Sequence, residues 1–174
     1  MSDVIQDAHA ALLKGDCARI DALIAEGMDV NTRSDTDRWN LLHMALVSVT
    51  APPNPQVIKH LIRLGVDVNA QDRRHWTPLH FAVRTKNAEI VRLLIEAGAE
   101  VDAVNDEHIS PLKLSVIKAQ RNLEVTKILL AANADPDLDG GAGTVRHYLS
   151  VASSPDITAF RQLLDEYPKK RSER

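Results

Sequence analysis

The sequence predicts an all-α solenoid of stacked helix-turn-helix units with β-hairpin or loop connections. Three observations carry this. A helix ending of the form Leu-Ile-x-x-Gly-x-x-Val recurs at Leu23–Val30, Leu61–Val68 and Leu94–Val101. A helix-start box, clearest as Thr77-Pro78-Leu79-His80-Phe81-Ala82, recurs upstream in phase with it. Of the 174 residues, 44% are hydrophobic but only 3% aromatic, so the core must be built from Leu, Ile, Val and Ala, which suits closely stacked helices.

The spacing sets the units. Gly65 and Gly98 stand 33 residues apart, as do Thr77 and Ser110. The box returns as Asn40-Leu41-Leu42-His43-Met44-Ala45 and as Ser110-Pro111-Leu112-Lys113-Leu114-Ser115. A degraded copy is Thr144-Val145-Arg146-His147-Tyr148-Leu149. Asn40, Thr77 and Ser110 carry side-chain oxygens able to cap a free helix-start amide. Pro78 and Pro111 follow at the first helical position, where a missing N–H costs nothing. Ala45, Ala82 and Ser115 are small enough to let neighbouring helices approach. The second helix of a unit, Ile90-Val91-Arg92-Leu93-Leu94-Ile95, is apolar inward with Arg92 outside. Gly65 and Gly98 end helices in a conformation that glycine adopts cheaply, and Asn133 is the next-best residue at that place.

The box, the Leu-Ile pair and the Gly-x-Asp/Glu-Val-Asn/Asp ending, recurring near a 33-residue period, resemble the ankyrin repeat family over nearly the whole chain. One domain over 1–174 is expected, in five units: an N-terminal cap at 2–32, repeats at 33–70, 71–103 and 104–137, and a C-terminal cap at 138–167. The tail 168–174 is expected to fray. Val145 and Arg146 stand where proline and leucine are usual, which puts the first helix of the last unit in question. Two insertions break the period, one within Ser48–Pro55 and one around Ala119–Asn122.

The resemblance implies binding of a protein partner on hairpin tips and first helices. Trp39 and Trp76, the two tryptophans, sit immediately before their boxes, and Ile109 holds the same place one repeat on. Stacking predicts an apolar ladder of the three. Arg33, Arg38, Arg73, Arg74 and His75 surround it, with Arg84 and Lys86 after the first helix of the third unit. Trp and Arg are enriched at interface hot spots. Asp35 and Asp37 on one neighbouring tip, and Asp106 and Glu107 on the other, make the surface basic in the middle and acidic on both sides. That pattern suits a partner with an acidic segment. The expected partner-binding residues are Arg38, Trp39, Arg73, Arg74, His75, Trp76, Arg84, Lys86 and Ile109. A monomer is expected.

Other chemistry finds little support. His43, His80 and His147 repeat in register, with His9 in the first unit. Stacked helices lie about 8–10 Å apart, too far for one metal to gather their histidines. Backbone bonding between repeats is the expected role. Cys17 and His9 have no orienting third group for nucleophilic catalysis. Asp139-Gly140-Gly141-Ala142-Gly143-Thr144 lacks the lysine and preceding strand of a nucleotide loop and reads as a flexible hairpin. The net charge of −3 and the short Lys169-Lys170-Arg171 run give no case for nucleic acid. No long apolar run suggests a membrane span or a secretory signal. One cysteine, and hence no internal disulfide, fits a reducing cytoplasm. The expectation is a non-enzymatic interaction module without cofactor or metal. The alternative is an inhibitor or antitoxin-like immunity protein that blocks a toxin or enzyme by tight one-to-one binding.

Overall fold

The computed structural model describes residues 3–47, 52–117, 121–141 and 143–167. Most of both insertions (Ser48–Ala51, Lys118–Gln120), Ala142 and the tail 168–174 lie outside the described residues. Among the described residues, ten α-helices form five hairpins: α1 Asp3–Lys14 with α2 Cys17–Ala25, α3 Leu41–Leu46 with α4 Pro55–Arg63, α5 Pro78–Thr85 with α6 Ala88–Glu96, α7 Pro111–Val116 with α8 Leu123–Ala131, and α9 Val145–Val151 with α10 Ile157–Asp165. The first helices pack in a row, α1–α3–α5–α7–α9, and α4, α6, α8 and α10 form a second row. No described helix is long and apolar enough to cross a membrane.

Local chemistry sets each hairpin. Asn40 Oδ1 accepts from the His43 amide at 3.1 Å, Ser110 Oγ from Lys113 at 3.2 Å and Thr144 Oγ1 from His147 at 3.0 Å. The second helices have caps that the recurring box does not reveal: Asp16, Asn54, Asn87 and Asn122 each accept an amide from their own first turn. At the other end, Gly27, Gly65 and Gly98 adopt φ of 106°, 85° and 90°, and Asn133 adopts 66°. The next amide in each case returns to the carbonyl five residues back: Met28 to Leu23, Val66 to Leu61, Ala99 to Leu94 and Ala134 to Leu129. Asn133 thus does the work of the missing glycine.

Packing then follows from the short first helices. Every residue of α3 and of α7 is buried, because each is sandwiched between neighbours. The second helices bury one face only, such as Ile90, Val91 and Leu94 of α6. The aliphatic core runs unbroken from Ile5 to Leu164. Fully burying each such side chain contributes ~1.5–3 kcal/mol.

Two polar ladders fix the register between repeats. In the first, Nε2 of His43 donates to the Trp76 carbonyl at 3.0 Å, Nε2 of His80 to the Ile109 carbonyl at 2.9 Å, and Nζ of Lys113 to the Gly143 carbonyl at 2.7 Å. Each side chain reaches the residue before the next repeat's cap. In the second, Asn31 accepts the Asp67 amide, Asn69 that of Glu100 and Asp102 that of Asp135, each at 2.8 Å. These bonds join the repeats at both ends of the hairpin and satisfy backbone groups that the solenoid buries.

The last unit forms despite its altered box. Val145 is buried at the proline position. Arg146 bonds Asp137 Oδ2 at 3.0 Å, the Leu164 carbonyl at 3.1 Å and the Tyr167 carbonyl, clamping α9 to the end of α10. In the described part of the glycine run before it, side chains and backbone make specific contacts. Asp139 Oδ1 accepts the Gly141 and Gly143 amides at 2.8 and 3.0 Å, and a Cβ at Gly140 would stand 2.9 Å from Val104. Those two amides are therefore spent on Asp139.

Candidate protein-binding surface

The surface is built from three tips. Each closes with two backbone bonds: Ser34 N to Trp39 O at 2.8 Å and Arg38 N to Ser34 O at 3.0 Å, Asp72 N to Trp76 O at 3.0 Å and His75 N to Asp72 O at 3.2 Å, and Asn105 N to Ile109 O at 3.3 Å and His108 N to Asn105 O at 2.9 Å. Arg38, His75 and His108, at the residue before the ladder position, take φ of 60°, 58° and 58°. A turn this tight leaves no room for paired strands, and no strand occurs among the described residues. The connections are turns rather than β-hairpins. A buried or half-buried side chain organises each from below. Ser34 accepts the Trp39 amide, Asp72 those of Arg74 and Trp76, and Asn105 those of Glu107 and Ile109. Consecutive tips are stitched together by Arg73 N to Asp37 O at 3.0 Å and Asp106 N to Arg74 O at 3.1 Å.

Trp39, Trp76 and Ile109 are half-buried and pack against the core. The two tryptophans meet on a third ring. Phe81, on α5, has Trp39 at 6.0 Å edge-on and Trp76 at 5.6 Å. Arg84, one turn along α5, lays its guanidinium 5.5 Å from the Trp76 ring centre and 5.9 Å from that of Phe81. Such stacking leaves the cation's donors open to solvent. Phe81 is the residue that sequence reasoning missed, because a phenylalanine inside the box reads as core. Its place five residues after Trp76, at the start of the helix that follows it, was the available signal.

The basic residues divide into two groups. Arg73 donates to the Asp35 carbonyl at 2.8 Å, Arg33 to the Gln71 carbonyl at 3.3 Å, and His75 Nδ1 pairs with Asp106. These three brace the tips. Arg38, Arg74, Arg84 and Lys86 are exposed and make no ion pair with a described residue. Arg33, Arg38, Asp72 and His75 line a polar hollow of about 260 Å³ beside the tips that carry Trp39 and Trp76. The first helices contribute little: α3 and α7 are buried throughout, so exposed α5 residues such as Arg84 supply the helical part.

Histidine chemistry follows from burial. His43 and His80 are fully buried, and desolvation pushes each down to about 4, against the opposing pull of the carbonyl it bonds. Both are neutral at pH 7. Nε2–H faces the carbonyl, leaving Nδ1 to accept the Asn40 and Thr77 amides at 3.3 and 3.2 Å. Burial also raises the Cys17 thiol, with Asp21 and Asp16 adding to it, so the reactive thiolate is disfavoured. No group of three or more metal-ligating side chains occurs among the described residues.

Stacked helical hairpins joined by polar ladders define a repeat solenoid. A family model for ankyrin repeats in three copies matches residues 47–139. The chain belongs to the ankyrin repeat family, whose repeats generally serve as protein–protein interaction modules. The hairpins α1–α2 and α9–α10 lie outside the matched span and continue the same stack. A 74-residue stretch, 41% of the chain, is 34% identical to an ankyrin repeat protein of Acanthamoeba polyphaga mimivirus. That match covers 46% of the relative, so the chain spans about half the length of the curated relative it matches.

Proposed function

We propose that the protein is a non-enzymatic interaction module that holds a polypeptide partner against its second to fourth tips. The observation that carries this reading is the Trp39–Phe81–Trp76 cluster, two half-buried tryptophans on a buried phenylalanine, with Arg84 against Trp76 and Phe81. Rigid aromatics with their stems packed in a core offer apolar area at little entropic cost, and arginine beside them adds directional donors. Arg38, Arg74 and Lys86 place positive charge around the cluster, while Arg73 and His75 hold the tips in shape. Ile109 extends the apolar strip to the fourth tip. Net positive charge at this centre suits a partner with an acidic segment.

The test uses the full chain as bait in extract of its own cells, with Trp39→Ala and Trp76→Ala alongside. A partner held by the wild type should lose more than about 1 kcal/mol of affinity to Trp76→Ala while helical circular dichroism is retained. An unchanged affinity in both variants would remove the surface from the reading.

A further inference from the structure

Asp72 and Asn105 occupy the same place, four residues before Trp76 and Ile109, and their first oxygens make the same two bonds to the tip amides. Their second atoms differ. Oδ2 of Asp72 accepts the indole N–H of Trp39, from the preceding repeat, at 3.4 Å. One repeat on, the counterpart of that oxygen is Nδ2 of Asn105, a donor. Trp76, the counterpart of Trp39, therefore meets no acceptor there. No described residue accepts its indole N–H, which stays at a half-buried position, while Nδ2 of Asn105 is buried without a partner in a residue 3% exposed. The Trp76 indole N–H is thus left for an acceptor from outside the chain, whereas that of Trp39 is satisfied internally. Arg84 sets a positive charge against the same Trp76 ring.

We propose that the Trp76 indole N–H and the Arg84 guanidinium form a subsite for a carboxylate side chain of the bound polypeptide. This deepens the protein-interaction reading and rests on it. An Asp or Glu of the partner supplies the acceptor that Asn105 does not, and the charge that Arg84 complements. A backbone carbonyl could satisfy the indole, but only a carboxylate answers both groups. Trp39, already bonded to Asp72, needs no such acceptor and serves as an apolar contact. The ladder thus has one position that accepts any apolar neighbour and one that demands an acid.

The chain has two tryptophans, so its ¹H–¹⁵N spectrum carries two indole signals, separable with Trp39→Phe. The probes are the blocked peptide Ac-Gly-Leu-Glu-Leu-Gly-NH2 and its glutamine counterpart, titrated into the full chain. The glutamate peptide should shift the Trp76 indole proton downfield, leave that of Trp39 in place, and bind about tenfold more tightly than the glutamine peptide. Asn105→Asp builds the internal acceptor; it should shift the Trp76 indole signal without peptide and cut the glutamate response by a similar factor. Arg84→Gln, at an exposed position, should lower the same response whether or not Asn105→Asp folds. Equal responses to both peptides, or no response to either, overturn the carboxylate subsite. The bait experiment with Trp76→Ala decides the broader surface independently, since it does not depend on what the partner presents to this position.

Discussion

Nε2 of His43 donates to the carbonyl oxygen of Trp76, 3.0 Å away in the next repeat, and His80 does the same to Ile109 at 2.9 Å. Both rings are fully buried and both are held near a pKa of about 4 by desolvation. The proposed binding surface and the inter-repeat ladder therefore share residues: Trp76 and Ile109 are anchored through their own carbonyls.

Acid should loosen this ladder. An unfolded histidine titrates near 6.5, above the folded value of about 4, so the unfolded state binds more protons between those limits. Stability from the neutral rings is full above pH ~6.5 and falls as pH drops toward 4, on the order of 3 kcal/mol per histidine at the acid limit. Urea midpoints should decline across this window, and the ring protons of His43 and His80 should stay in their neutral positions down to about pH 5. Ring signals that titrate near pH 6.5 would disprove the buried neutral state.

Gly98→Ala isolates the cost of a helix ending. Gly98 has φ of 90°, and a Cβ there would meet nothing within 4 Å. The penalty is then conformational alone, about 1–2 kcal/mol for an L-residue in the left-handed region. Chemical denaturation should register that loss with no change in the spectrum of the fold. A loss well beyond it would mean a clash that the open space around Gly98 does not predict.

The repeat architecture is legible because each hairpin writes the same short-range chemistry: a cap, a small residue, an inward aliphatic stripe and a left-handed ending. Those features act within one or two turns, and sequence shows them directly. Trp39 and Trp76 are legible as surface residues for the same reason. What they touch is not, since Phe81 lies on a helix whose facing direction depends on the stack. Arg146 looks like erosion of the box, yet its length lets it reach the carbonyls of Leu164 and Tyr167, which a leucine cannot do. The exchange of Asp72 for Asn105 reads as conservative until the register shows which donor each must face.

Arg121 is the third such case, and the most exposed to experiment. It belongs to the insertion between α7 and α8 but points to the last hairpin. Its guanidinium bonds both oxygens of Asp156 at 2.9 and 2.8 Å and the Tyr148 hydroxyl at 3.4 Å, and its Nε donates to the Val116 carbonyl at 3.0 Å. Nη1 alone contacts both oxygens, and the arginine side chain is 10% exposed against 53% for the aspartate, so the pair is shielded on one side only. In a solenoid each unit is held by its neighbour alone. Arg121→Ala should therefore speed amide hydrogen exchange in α9 and α10 while leaving α5 and α6 at wild-type rates. Asp156→Asn should give a smaller effect, because Arg121 keeps its bonds to Val116 and Tyr148. Uniform acceleration along the stack would show that the last hairpin does not open as a separate unit, and no acceleration at all would show that packing on α7 and α8 holds it without Arg121.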